Sequence, residues 1–183
     1  MASRIDSLLY NYDKVLNEPW SVTLSGQEKV WFLVYDPADQ RKIDLRIGDF
    51  ERYAKRAEKN WMEINLKSCF PQWMAAHDYK EEYFAQPEDI ADQIESDFRN
   101  NVTDYIKEKI NHADVDENTV IAVTHVSSIF GFLMLHDILK RLTESIQIKG
   151  RLLILFPGEF ENNTYRLMDA RDGWSYLARP ITA

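Results

Sequence analysis

The sequence has little cysteine, no long apolar run and no glycine-rich turn, and each shortage excludes a class of protein. Cys69 is the single cysteine among 183 residues, so neither a disulfide within the chain nor a thiolate metal cluster can form. No run approaches the roughly 20 apolar residues that a membrane-spanning helix needs, and the first residues carry no apolar signal core. We therefore expect a cytoplasmic protein that does not contact a membrane.

Positive charge is also scarce. Asp and Glu number 30 against 22 Lys and Arg, which leaves a net charge of −8. Because neutralisation of phosphate supplies most non-specific affinity for nucleic acid, we expect any contact with DNA to be weak or indirect. One alternative stays open, in which a local basic edge makes the chain an accessory DNA-binding module. The arginines of that edge would be Arg151, Arg166, Arg171 and Arg179.

The apolar residues that are present fall into strand-like and helix-like segments in alternation. Three continuous runs predict strands buried on both faces: KVWFLVYDP, TVIAVTHV and GRLLILFPG. The segments WMEINLKS and SYLARPI predict two shorter strands, and Pro180 favours an edge position for the second of these. Strands separated by helical segments predict an α/β fold, a single domain over residues 1–183. Its central sheet should be mostly parallel, of about five strands, with helices on both faces.

The helical segments complete this prediction. A helix over 4–17 should pack on the domain, and apolar residues at steps of three and four predict a second over 43–61. Helices are also expected over 70–84 and 87–110. A further helix should begin at Ser127 or Ser128 and be capped by that side chain. The C-terminal part, 156–183, is expected to be a loop followed by the edge strand.

Catalytic chemistry is not evident at the ends of the predicted strands. The P-loop, the Rossmann G-x-G-x-x-G and the nucleophile elbow G-x-S-x-G are all absent, and the four histidines lack metal-ligand spacing. The acidic pairs Glu81-Glu82 and Glu88-Asp89 indicate solvated helix faces. We therefore predict no catalytic residue, no cofactor and no metal. The alternative is a degenerate nucleotide-binding or hydrolase-like enzyme that uses the strand ends near Asp36 and His125.

Residues 156–181 combine turn-forming residues, large aromatic rings and arginines in one short stretch, FPGEFENNTYRLMDARDGWSYLARPI. Its glycines and its two adjacent asparagines favour several sharp turns, and its large rings are too many to leave in water. Arg and aromatic residues also dominate interface hot spots. Two compatible readings follow: a small core that fixes the last strand, and a partner-binding surface built on it. The residues of that surface would be Tyr165, Arg166, Arg171, Trp174 and Tyr176.

Four stretches of the chain resemble the BrxB family of bacterial BREX bacteriophage-defence systems. They are RIDSLLYNYDKVLNEPW, KVWFLVYDPADQRK, QWMAAHDYKEEYF and the closing GRLLILFPGEFENNTYRLMDARDGWSYLARPITA. Together they span residues 4–183, and the closing stretch is the most specific. The segment from about Pro87 to Asn118 contributes little to the resemblance.

The resemblance implies a small component of a multi-protein defence locus that also encodes a large ATPase, a DNA methyltransferase and a PglZ-like protein with a phosphatase fold. Members of the family are not known for a catalytic activity of their own, so the resemblance supplies no catalytic residue. It implies a non-catalytic adaptor or scaffold that docks other BREX proteins, the PglZ-like protein or the large ATPase.

Overall fold

The computed structural model of the protein describes residues 3–183. Its helices and strands alternate along the chain, as predicted. The helices are α1 Arg4–Leu16, α2 Gln40–Arg56, α3 Cys69–Ala75, α4 Lys80–Ala85, α5 Ala91–Gln93, α6 Arg99–Ile110 and α7 Leu135–Ser145. A π-helical turn over Ile94–Phe98 joins α5 to α6. The strands are β1 Val30–Tyr35, β2 Asn60–Asn65, β3 Thr119–Thr124, β4 Arg151–Glu161, β5 Thr164–Leu167 and β6 Arg179–Ile181.

The strands form one sheet in the order β2-β3-β4-β1-β6, and every pair along this path is parallel. The α/β fold with a mostly parallel sheet is therefore confirmed. β6 lies at an edge of the sheet, where Pro180 costs no interior ladder hydrogen bond. The sixth strand, β5, was not predicted, and it pairs with β4 in the antiparallel sense.

The sheet is covered on both faces, and alternate residues of β1 show how. Trp31, Leu33 and Tyr35 point to a face covered by α1 and α2. Phe32, with Val30 and Val34, points to the opposite face, which α6 and α7 cover. All six β1 residues are buried, which explains why this strand reads as a continuous apolar run instead of an alternating one.

Four predicted helices differ from the structure. The helix expected over 43–61 ends at Arg56, and Trp61 belongs to β2. The helix expected over 87–110 begins as a 3-10 turn and is interrupted by the π-helical turn.

The helix expected from Ser127 or Ser128 begins only at Leu135, after a short 3-10 turn over Val126–Ile129. The extended backbone of Phe130 ends that turn, and Gly131 follows with a φ of +84°. The residues at the two N-cap positions are His125 and Met134, so neither serine caps a helix. The helix predicted over 70–84 is divided into α3 and α4.

Candidate functional site

The C-terminal stretch is built around a β-hairpin and not around a long loop. β4 continues past the sheet, and its outer residues, from Gly158 to Glu161, pair with β5. Asn162 and Asn163 form the turn with φ angles of +51° and +61°. Two consecutive positive φ angles define the type I′ turn, whose twist matches that of the flanking strands and which asparagine tolerates well. The two asparagines thus explain why the chain reverses here.

Close backbone packing fixes the hairpin. A Cβ atom on Gly158 would lie 2.0 Å from the carbonyl oxygen of Arg166 on the facing strand, so only glycine fits there. Beyond β5, the backbone of Tyr165 exchanges two hydrogen bonds of 2.9 Å with Trp174. The segment after β5 therefore folds back beside it and pairs with it at this one residue.

The inner side of the hairpin carries an aromatic cluster centred on Phe32 of β1. Its ring centroid lies 4.4 Å from that of Tyr165, 5.1 Å from Phe156, 5.6 Å from Trp174 and 5.9 Å from Tyr176. Edge-to-face and stacked ring pairs at such distances stabilise beyond the area that they bury. These rings belong to the same core as the α6/α7 face of the sheet. The inner side of the hairpin therefore corresponds to the first of the two interpretations, a small core that fixes the last strand.

The five residues predicted to bind a partner divide between the two sides of the hairpin. Tyr165 is fully buried, and Trp174 and Tyr176 are half-buried. Burial raises the pKa of both tyrosine hydroxyls, which stay protonated at neutral pH. Arg166 and Arg171 are exposed. The structure thus brings the three rings together in the core and leaves the two guanidinium groups exposed.

Arg166 lies directly opposite Glu159 across the β4–β5 ladder, and their side chains are 3.7 Å apart. Proximity in the sequence alone would favour Asp169 or Asp172 as its partner. The period of two along a strand separates Arg166 from its buried neighbours Tyr165 and Leu167. The exposed side of the β4–β5 ladder therefore presents Arg166 beside the carboxylate of Glu159.

The four arginines proposed as a basic edge do not form one. Arg151 is 3% exposed and donates to the backbone carbonyls of Gly150 and Ser21. Arg179 binds Glu18 through two hydrogen bonds. With Arg166 beside its carboxylate, Arg171 alone of the four makes neither an ion pair nor a side-chain hydrogen bond within residues 3–183. This arrangement gives the DNA-binding alternative no support.

The crevice where a parallel α/β sheet usually binds ligands lies between the carboxyl ends of β1 and β4. These strands are neighbours whose connections leave to opposite faces, which defines the topological switch point. A groove is present there, and its charged lining residues are Arg4, Asp36, Asp39, Glu159 and Glu161. Four carboxylates against one guanidinium would repel a phosphate group. The groove has the location of a nucleotide site and the opposite electrostatics.

His125 is the other residue of the enzyme alternative, and both of its ring nitrogens contact neighbouring side chains. Its backbone adopts a φ of +59°, and its Nε2 lies 3.4 Å from the Asp44 carboxylate. Its Nδ1 lies 3.2 Å from the Thr124 hydroxyl, which donates to Glu63 at 3.0 Å. Gln40 donates to the same Asp44 carboxylate. These side chains tie α2 to the ends of β2 and β3. Sequence reasoning missed them, because Gln40, Asp44 and Glu63 look like ordinary surface positions.

Two further features bear on the class of protein. Among residues 3–183, no three or more His, Cys, Asp or Glu side chains are grouped so that they could hold a metal ion. No helix in that range is long and apolar enough to cross a membrane. The fold and its strand ends define an α/β protein with a parallel sheet, a switch-point groove of acidic character and an aromatic C-terminal hairpin.

The particular family follows from comparison with known proteins. The family model described as BREX protein BrxB matches residues 60–179, about two thirds of the chain, and the chain belongs to that family. It is thus a component of BREX bacteriophage-defence systems. The match includes the hairpin and the segment after Pro87 that contributes little to the resemblance, whereas α1 and β1 lie before it. No curated protein and no solved structure matches the chain.

Proposed function

We propose that this BREX protein is a non-catalytic adaptor that docks another protein of its defence system through the exposed side of the C-terminal hairpin. The observation that carries the proposal is the division of the hairpin into two sides. The inner rings around Phe32 fix it to the core, and the outer side exposes Arg166, which lies 3.7 Å from Glu159 on the facing strand. An exposed arginine beside a cluster of aromatic rings is the kind of residue that becomes an interface hot spot.

Two observations support the non-catalytic part of the proposal. The switch-point groove is lined by carboxylates that disfavour phosphate. His125 has neighbours at both ring nitrogens, and Thr124 beside it is 1% exposed. A nucleophile must reach substrate, and this hydroxyl does not reach solvent.

The proposal is tested by binding measurements with the purified PglZ-like protein and the purified large ATPase of the same locus. Arg166→Ala removes an exposed side chain, so we expect an unchanged melting temperature and binding weaker by roughly 2 kcal/mol, about 30-fold. Trp174→Ala removes part of the aromatic cluster, so it should lower both stability, by about 3 kcal/mol, and binding.

Arg41→Ala is the matched control, because Arg41 is an exposed arginine of α2 without an ion pair in the described chain. It should change neither property. If Arg166→Ala binds both proteins as the parent does, Arg166 is not a docking residue. If Trp174→Ala also keeps full binding, the hairpin only fixes the last strand, and the partner site lies elsewhere.

A further inference from the structure

The negative charge of the chain is concentrated in one segment. Residues 78–97 contain eight carboxylates and one lysine, a net charge of −7 against −8 for the whole chain. All eight are exposed, and none forms an ion pair within residues 3–183. They are Asp78, Glu81, Glu82, Glu88, Asp89, Asp92, Glu95 and Asp97.

The acidic residues of α2 differ in this respect. Asp49 lies against Arg46 and Arg52, and Glu51 lies 2.5 Å from Lys55. The fold therefore neutralises carboxylates on a helix where cations are interspersed. Along residues 78–97 it supplies a single lysine, and the uncompensated charge repels itself.

The same segment exposes large apolar side chains. Tyr79 is 62% exposed and Phe84 is 67% exposed, and α4, which follows Tyr79 and contains Phe84, buries none of its side chains. Scattered single exposed residues are ordinary. Here two aromatic residues lie on or beside a six-residue helix that has no buried side chain, and folding stability does not explain their presence.

A series of ring contacts holds this region against the core. The Phe132 ring stacks on Phe70 at 4.2 Å. From there the contacts continue through Trp73 at 6.0 Å, then to His77 at 4.9 Å and to Tyr83 of α4 at 5.3 Å. Phe132, at the other end of the series, is itself 40% exposed. The helix is thus supported from behind while its outer aromatic residues remain free.

We infer that residues 78–97, the acidic-aromatic surface, form a second docking site, which takes a Lys- and Arg-rich face of another protein, with Tyr79 and Phe84 as its anchors. Charge complementarity selects the occupant: seven net negative charges attract a basic surface and repel nucleic acid and anionic lipid. The exposed rings add a contact that arginine side chains favour, because a guanidinium stacks on an aromatic face. The inference rests on the proposed function in so far as both require partner proteins.

The test compares two variants of equal net charge. The first neutralises the surface by Glu81→Gln, Glu82→Gln, Glu88→Gln and Asp89→Asn. The control neutralises four exposed carboxylates elsewhere that form no ion pair in the described chain, by Glu58→Gln, Asp104→Asn, Glu108→Gln and Glu144→Gln. Each variant is titrated against every individually purified protein of the locus, at salt concentrations from about 0.1 to 0.5 M, where screening becomes strong.

We expect at least one locus protein to bind the parent with an affinity that falls as salt rises. The surface variant should lose at least about tenfold in affinity and the control less than about twofold. Phe84→Ala should also weaken binding by about tenfold with an unchanged melting temperature, because the ring is exposed.

Equal losses in the two charge variants, no loss in the surface variant, or no salt-dependent binding to any locus protein would overturn the inference. If Arg166→Ala abolishes binding while the surface variant retains it, the adaptor proposal stands and this one fails. The opposite result moves the docking site from the hairpin to residues 78–97.

Discussion

The hydroxyl of Tyr165 donates a 2.8 Å hydrogen bond to the backbone carbonyl of Ala178, one residue before β6 begins. Both groups are buried, and the bond joins the hairpin to the edge strand that follows it. A single side chain thereby fixes the return of the chain to the sheet.

Tyr165→Phe tests this bond alone, because it keeps the ring and removes the hydroxyl. The Ala178 carbonyl then stays buried with one partner fewer, so the free energy of unfolding should fall by about 1–2 kcal/mol. For a chain of this size that corresponds to a drop of roughly 2–8 °C in melting temperature. The control, Tyr10→Phe, alters a ring that is 60% exposed and should leave the melting temperature unchanged. A Tyr165→Phe protein as stable as the parent would contradict the role assigned to the bond.

Two glycines give opposite predictions for the same substitution. Gly158→Ala would place a methyl group 2.0 Å from the Arg166 carbonyl oxygen, and the forced separation of the two strands should cost about 3 kcal/mol. Gly48 lies inside α2, where an added methyl group would have no atom within 4 Å. Gly48→Ala should therefore stabilise the protein by about 0.5–1 kcal/mol. Urea unfolding of both variants measures the two opposite changes in the free energy of unfolding. A Gly158→Ala protein as stable as the parent would show that the two strands of the hairpin can separate without cost.

The ion pair between Glu18 and Arg179 predicts a pH dependence. The hydrogen bonds from Arg179 lower the pKa of the Glu18 carboxyl, so the carboxylate is more favoured in the folded state than in the unfolded one. Its contribution to stability is present above the unfolded pKa of about 4.3 and is lost as the pH falls through the lower folded pKa.

Both side chains are nearly half exposed, so the contribution at pH 7 should not exceed about 1 kcal/mol. Urea unfolding of the parent and of Glu18→Gln at several pH values measures it, and the difference between them should vanish in acid. Glu161→Gln, at an exposed position without an ion pair among residues 3–183, is the control. A difference in the free energy of unfolding between the parent and Glu18→Gln that does not decrease as the solution is made more acidic would show that it does not come from the ion pair.

The acidic groove at the switch point predicts no saturable binding of Mg-ATP at micromolar concentration. Calorimetry with the full chain measures this, beside a protein with a glycine-rich phosphate loop as a positive control. The double variant Asp36→Asn with Asp39→Asn removes two of the four carboxylates and should still bind no nucleotide, because the groove offers no lysine and no glycine-rich turn. Saturable binding by the parent would favour the enzyme alternative over the adaptor.

The fold was largely predictable because strands buried on both faces leave a strong signal. β1, β3 and the inner half of β4 read directly as apolar runs, and Pro180 placed β6 at an edge. β5 was missed because Thr164–Leu167 spans only four residues and alternates between the core and solvent, so it reads as part of a loop. The turn residues Asn162 and Asn163 were recognised, but their two strands were not.

The candidate site was predictable only in composition. The sequence shows that large rings lie near arginines, but it does not show which of these side chains face the core. The alternation of side chains along β5 decides this, and it places the neighbours Tyr165 and Arg166 on opposite sides. The pairing of Arg166 with Glu159 depends on the hairpin register, which no local pattern reveals. The isolation of the carboxylates along residues 78–97 was likewise invisible, because a solvated helix face looks the same whether or not cations on other elements approach it.

The position of β1 in the sheet has a consequence for synthesis and folding. Its two neighbours are β4 and β6, both drawn from the last 33 residues of the sequence. A nascent chain therefore makes this fully buried strand early and carries it without a partner until those residues have emerged. Contacts between such distant segments slow folding, and an unpaired apolar strand invites association with other chains. Products of premature termination before β4 should therefore aggregate or be degraded. Complete pairing of the sheet depends on the residues that are synthesised after β3.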